Sequence, residues 1–179
     1  MKLVYILLMF TFLQTAKGQD YCKLIKKEVF DDKKTFEYTS PYDVKDKPSL
    51  RVTRNFNADP EFGFDNFFLN FRIEGSIDSI YQKNADGGQT EKEDKAITVE
   101  FEDKSRIVDE AIRINHDMSD DRTLAVWYLD FPLTEKNLKD FTSKKIVKFS
   151  LAGNNQMVAA DSANSIQHYI QCIKEIKMK

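Results

Sequence analysis

The chain has 179 residues, 27 of them basic and 29 acidic, so neither sign dominates. A balance this close argues against nucleic acid or an anionic membrane surface as an obligate partner. Fourteen Phe, seven Tyr and one Trp make it rich in aromatics, which in alternating patterns more often fill a β-core than bind ligands.

Residues 1–18 read as a secretory signal peptide. Lys2 supplies the positive start, and Leu3 to Leu13 is a mostly apolar run of about eleven residues, short of the about 20 a membrane-spanning helix needs. Ala16-Lys17-Gly18 then places small residues at the −3 and −1 positions of a cleavage site, so Gln19 is the expected first mature residue. The alternatives fit less well: a retained anchor would not end in a polar, small-residue segment, and Gln19-Asp20-Tyr21 lacks the small residues of a lipid-attachment site at Cys22. No later run is apolar and long enough to span a membrane, so no integral span is expected after cleavage. Loss of Lys2 and Lys17 leaves 25 basic residues against 29 acidic, a mature charge of about −4. The expectation is a secreted or periplasmic protein with one domain over 19–179, long enough to bury a sizeable core.

Two cysteines in an exported chain most simply form one disulfide, Cys22–Cys172. Closing a loop of about 150 residues would contribute about 5 kcal/mol on the chain-entropy model, less any strain. Two separate buried thiols are the alternative. With cysteines so far apart and no nearby histidine pair, neither a metal site nor another cofactor is expected.

Cys22 to Phe30 alternates loosely and reads as the first strand. Asp31 to Lys34 is a polar turn, and Thr35 to Tyr38 returns beside it. A loop follows, bracketed by Ser40-Pro41 and Lys47-Pro48. Leu50, Val52 and Arg54 to Phe56 form another strand, and Asn57 to Gly63 turns the chain. Asn66 to Ile73 is the expected central strand, with Phe67, Leu69, Phe71 and Ile73 on one face. Residues 82–95 read as a flexible surface loop, since they hold two adjacent glycines and almost nothing apolar. Ala96 to Phe101 and Arg106 to Ile114 form a hairpin across Glu102 to Ser105. His116 to Asp121 reads as an acidic loop, and Thr123 to Phe131 as a core strand carrying the only tryptophan.

Thr134 is the expected cap of a short helix, Glu135 to Phe141, with Leu138 and Phe141 facing inward. Ile146, Phe149 and Leu151 begin a hairpin that turns at Gly153-Asn154-Asn155 and returns through Gln156 to Ala160. Asp161 to Lys179 is the clearest helix. Ile166, Tyr169, Ile170, Ile173 and Ile176 share one face, Asp161 or Ser162 caps the start, and Lys174, Lys177 and Lys179 crowd the end. Gln167, Gln171 and Lys174 cover the wet side. The fold class is therefore mainly β or α+β: an antiparallel β-sandwich or partly open barrel of eight or nine strands, with a short helix and a C-terminal helix packed on it.

Three stretches carry a resemblance: CKLIKKEVFDDKKTFEYTSP from Cys22 to Pro41, FPLTEKNLKDFTSKKIVKF from Phe131 to Phe149, and the late SIQHYIQCI. Together they resemble parts of small exported proteins of Bacteroidetes-type bacteria. In those a short helix after a core strand precedes an I-x-x-I strand, and a late helix carries the second cysteine. Here that strand reads Ile146-Val147-Lys148-Phe149 and departs at its last position. The resemblance covers both ends of the mature chain but not its middle. It implies a compact exported β-rich domain and supplies no catalytic residues.

Catalytic patterns are missing from the sequence. There is no G-x-S-x-G elbow, no H-E-x-x-H pair and no Gly-rich phosphate loop. Bonded cysteines leave no thiolate nucleophile. His116 stands beside Asp117, Asp120 and Asp121, but the spacing is not that of a calcium loop and a solvated turn explains it. His168 reads as a surface or boundary residue of the helix. A hydrolase built on two carboxylates is the least favoured reading, with no residue to name for it. The leading expectation is a non-enzymatic exported module that binds a protein or glycan, with Tyr42, Phe62 and Phe64 as contact residues in loops flanking the Leu50 strand. The competing reading of those three is that they complete the edge of the core. The alternative function is a carrier of a small apolar ligand, in a cavity lined by Phe67, Phe71, Phe101 and Trp127.

Overall fold

The computed structural model describes residues 20–177 apart from 31, 33, 43–48, 77–80, 84–88, 92–94 and 119–123. Two antiparallel sheets face each other. The larger contains β1 (Lys26–Val29), β2 (Thr35–Thr39), β3 (Ser49–Asn57), β4 (Phe64–Ser76), β9 (Asn115–Met118) and β10 (Leu124–Pro132), in the order β1-β2-β3-β4-β10-β9. The smaller contains β7 (Lys95–Phe101), β8 (Arg106–Arg113), β11 (Ile146–Leu151) and β12 (Asn154–Met157), in the order β12-β11-β7-β8. A separate hairpin, β5 (Tyr81–Lys83) with β6 (Gln89–Glu91), lies between them in the chain. Two helices follow β10: α1 (Glu135–Ser143) before β11 and α2 (Ala160–Glu175) after β12.

The core follows from strand alternation. Leu50 and Val52, Leu69, Phe71 and Ile73, and Ala125, Trp127, Leu129 and Phe131 line one face of the larger sheet, all buried. Ile97, Val99 and Phe101 with Ile146, Phe149 and Leu151 line the facing sheet. The two rows meet at the Phe71 and Phe149 rings, 4.8 Å apart and edge-to-face. Phe141 of α1 plugs one end, 5.3 Å from Phe101 and 5.8 Å from Phe131. Residues of both sheets and both helices form one buried cluster, and no closed barrel forms.

Helix α2 completes the cover of β3. It buries Ala163, Ile166, Tyr169, Ile170 and Ile173, the expected apolar face with Ala163 added. Its ends differ from expectation. The N-cap is Ala159, with no side-chain cap, rather than Asp161 or Ser162. The helix stops at Glu175, because Arg54 caps its C-terminus: the guanidinium donates to the Ile173 and Lys174 carbonyls at 3.0 and 3.4 Å. Its other side grips Asp65 at 2.7 and 2.6 Å. Ile176 therefore packs on the core from outside the helix. Gln167 and Gln171 donate to the Thr142 carbonyl and tie α2 to α1, instead of facing water.

Cys22 and Cys172 are bonded, with Cα atoms 5.3 Å apart across 150 residues of sequence. The strand expected from Cys22 starts only at Lys26, because Tyr21–Leu24 forms a 3-10 turn that docks on α2. There the Tyr21 ring stacks on His168 at 4.8 Å and meets Tyr169 edge-on at 5.5 Å.

Twelve strands are present among the described residues, and the three beyond the expected nine are short pieces of stretches read as loops. β5 and β6 sit at the start of and within the polar 82–95 stretch, and β9 takes up His116 and Asp117. The last hairpin turns one residue early. Ala152 and Gly153 adopt φ of 48° and 81°, the left-handed pair that a two-residue hairpin requires, so Asn154 and Asn155 pair within the sheet instead of turning. Helix α1 begins as expected after Thr134, whose N–H donates to Asn137 at 2.8 Å. The double glycine at 87–88 and the acidic residues Asp120 and Asp121 lie outside the described residues. No helix among the described residues is long and apolar enough to cross a membrane.

Candidate ligand-binding face

Tyr42, Phe62 and Phe64 are all solvent-facing, at 38%, 79% and 40% exposure. They do not form one surface. Phe64 opens β4 opposite Asn57, and Phe62 lies in the preceding turn. Tyr42 lies over Arg51, and Arg51 to Asn57 is six residues of strand, about 20 Å. Tyr42 joins a concave site. Phe62 and Phe64 belong to the opposite end of the sheet, where Lys34 and Asp59 pin the two turns together at 2.8 Å.

The position of Tyr42 follows from its neighbours. Ser40 prolongs β2 along β3: its N–H donates to the Val52 carbonyl and its Oγ accepts from the Val52 N–H, both at 2.9 Å. Pro41 has no N–H and ends the ladder. The chain lifts away and lays the Tyr42 ring 4.6 Å from the Arg51 guanidinium carbon.

Arg51 points to the outer face of the larger sheet, away from the core. Register then builds the rest of the site. Arg51 lies opposite Asn70, and Asn70 opposite Asp130. One step along, Arg72 lies opposite Tyr128, and a step further Val126 lies opposite Asp117. These side chains line a depression of about 440 Å³. Asn70 is fixed from both sides, accepting from Thr53 Oγ1 and donating to Asp130 Oδ1, each at 2.6 Å.

Among the described residues no ion pair joins the arginines of the depression to its aspartates. Among the described residues Arg51 makes no ion pair, and its buried Nε has no acceptor. Arg72 pairs with Glu74 at 3.5 Å, and among the described residues Asp130 accepts one hydrogen bond, from Asn70. Arg51, Arg72, Tyr128, Asp117 and Asp130 thus share one face by register, with Tyr42 laid over Arg51 from the loop, and the arginines do not pair with the aspartates.

The four residues of the carrier reading are arranged differently. Phe71, Phe101 and Trp127 are buried in the packed core, and Phe67 lies half-buried under Arg54 at 5.9 Å. Of the clefts on the described surface, Phe71 borders the one just described, and Phe67 borders another beside α1. Among the described residues no group of three His, Cys, Asp or Glu is placed to hold a metal ion.

Of the expected contact residues Tyr42 lines this depression, while its neighbours there were not named from the sequence. Arg51, Asn70, Arg72, Tyr128 and Asp130 alternate with core residues in strands already assigned, and they read as the solvated side of a sheet. The available signal was two arginines and a tyrosine at outward positions of the central strands, where Lys or Thr would serve solubility as well. No protein-family model matches this chain, and no curated protein or solved structure matches it.

Proposed function

We propose that this protein is an exported, non-enzymatic binding module whose recognition surface is the outer face of the larger sheet around Tyr42 and Arg51. The observation that carries this reading is that Arg51, whose buried Nε has no acceptor, and Asp130 are held apart in one row by Asn70 within a depression. A sheet face that served only solubility would gain from pairing them or leaving them dispersed. Export is supported by the apolar leader followed by small residues and by the disulfide, which persists in oxidising compartments.

The test uses the oxidised protein on glycan and peptide arrays beside two variants. Asn70→Asp puts a carboxylate directly opposite Arg51 and closes the open pair. Arg106→Met alters the other sheet. A bound probe whose signal falls at least ~10-fold in Asn70→Asp and holds in Arg106→Met supports the reading. A binder indifferent to Asn70→Asp, or no binder at all, overturns it.

A further inference from the structure

We infer that the ligand of this depression is a neutral saccharide chain; the inference rests on the binding-module reading and names its ligand class. Three features of the site converge on that chemistry. The first is charge balance. Arg51 and Arg72 stand against Asp117 and Asp130, with Glu74 on Arg72 at 3.5 Å, so neither sign dominates enough to draw a strongly ionic ligand.

The second is the alternation of donors and acceptors. Arg51 and Arg72 can only donate and the two carboxylates can only accept. The strand between them sets Arg51 and Asp130 two strand spacings apart, about 10 Å, while Arg72 lies diagonal to Asp130 on the next strand, about 7–8 Å away. A hydroxyl both donates and accepts, so a polyol can bridge guanidinium to carboxylate at successive positions. A carboxylate or sulfate ligand would satisfy the arginines and be repelled by Asp117 and Asp130, while an ammonium would meet the reverse. Asn70, locked by Thr53 and Asp130, keeps Arg51 and Asp130 from collapsing onto each other before a ligand arrives.

The third is the placement of apolar surface. Tyr42 and Tyr128 line the same depression as the charges, and both are more than a third exposed. A sugar ring pairs a C–H face, which an aromatic ring covers, with an equatorial rim of hydroxyls. The volume of about 440 Å³ falls within the range of small-molecule sites.

The experiment is calorimetric titration of the intact oxidised protein at 50 and 500 mM NaCl. The neutral probes are maltotetraose, cellotetraose, mannotetraose and tetra-N-acetylchitotetraose; the acidic ones are tetragalacturonate and a heparin tetrasaccharide. The expected result is binding of at least one neutral probe, changing by less than ~2-fold with salt because no net charge is neutralised. Tyr128→Ala should weaken it at least ~10-fold, Tyr128→Phe should retain most of it because the ring remains, and Arg51→Met should lose it. Each variant is checked for the disulfide by mass and for fold by circular dichroism. Binding of acidic probes alone, lost at high salt and in Arg51→Met, would overturn the neutral class while leaving the binding face standing. If no probe binds, or if bound probe responds to Arg106→Met and not to Arg51→Met, both readings fall.

Discussion

On the outer face of the smaller sheet, Arg106 stands directly opposite Glu100 and grips it, Nε at 2.8 Å and Nη2 at 2.6 Å. On the outer face of the larger sheet, Arg51 stands opposite Asn70, and the amide has turned to Thr53 and Asp130 instead. Both faces place an arginine and a carboxylate in one cross-strand row, on adjacent strands in the smaller sheet and two strands apart in the larger. In one the charges have found each other; in the other an intervening amide holds them apart. What separates a solvated sheet face from a candidate site here is therefore pairing, set by register. Composition does not distinguish them.

The comparison assumes that both faces belong to one cooperatively folded body, and the largest effect would come from cutting that body in the middle. Phe71 is 1% exposed and meets Phe149 across the sheets. Phe71→Ala should cost about 3–5 kcal/mol. Trp127 fluorescence, which reports the larger sheet, and hydrogen exchange of β7 and β11 amides should lose stability together in urea. Two separate transitions would mean that the faces sit on independent units, and the contrast between them would lose its meaning.

A second effect tests whether the two sheets are held alike at their turns. Asp59, beside the larger sheet, is pulled down to about 2 by the Lys34 ammonium and by the N–H groups of Glu61 and Phe62. Asp103, in the β7–β8 turn, is pulled down to about 2 by the Ser105 hydroxyl and N–H and by Lys144. A carboxylate whose folded pKa lies below its ordinary 3.8 adds stability above that value and loses it as pH falls through the folded pKa. The urea midpoint should therefore fall between about pH 4 and pH 2. Lys34 and Lys144 are raised by the same partners, Asp59 for the first and Asp140 then Asp103 for the second. Their share is complete below the ordinary lysine value of 10.5 and is lost only above it. Asp103→Asn and Asp59→Asn should each flatten part of the acid limb; a limb unchanged in both variants would place acid sensitivity elsewhere.

The fold was legible because its determinants are local. Phe67, Leu69, Phe71 and Ile73 alternate, Ile166, Tyr169, Ile170 and Ile173 follow helical spacing, and two cysteines leave one pairing. The short strands were not, because β9 has no apolar row of its own: it pairs onto β10 at the sheet edge through backbone bonds that any side chain permits. Ala152 in a left-handed turn was hidden for the opposite reason, since its neighbours Asn154 and Asn155 are the better turn formers by propensity. The site was least visible of all. Tyr42 could be suspected as an exposed aromatic, but the row Arg51–Asn70–Asp130 joins residues 79 positions apart through the register of three strands, and register is not written in spacing.

The smallest expected effect gives the finest test of the contrast. Arg106 is largely exposed, and its pair with Glu100 should contribute under ~1 kcal/mol, so Arg106→Met should lower stability slightly and less so in high salt. Arg51 differs because its Nε is buried without an acceptor. An unmet buried donor costs about 1–3 kcal/mol, against about 0.5–1 kcal/mol returned by the stack on Tyr42. Methionine would keep packing against the ring and remove the unmet donor. Arg51→Met should then leave stability unchanged or raise it by up to about 1 kcal/mol, while Arg106→Met lowers it, both read as urea midpoints at pH 7. A gain at Arg51 would mean that the residue is held at a cost to folding, as expected of a group retained for a ligand. A loss at Arg51 equal to or larger than that at Arg106 would make it an ordinary structural side chain, and the larger sheet would have no claim over the smaller one.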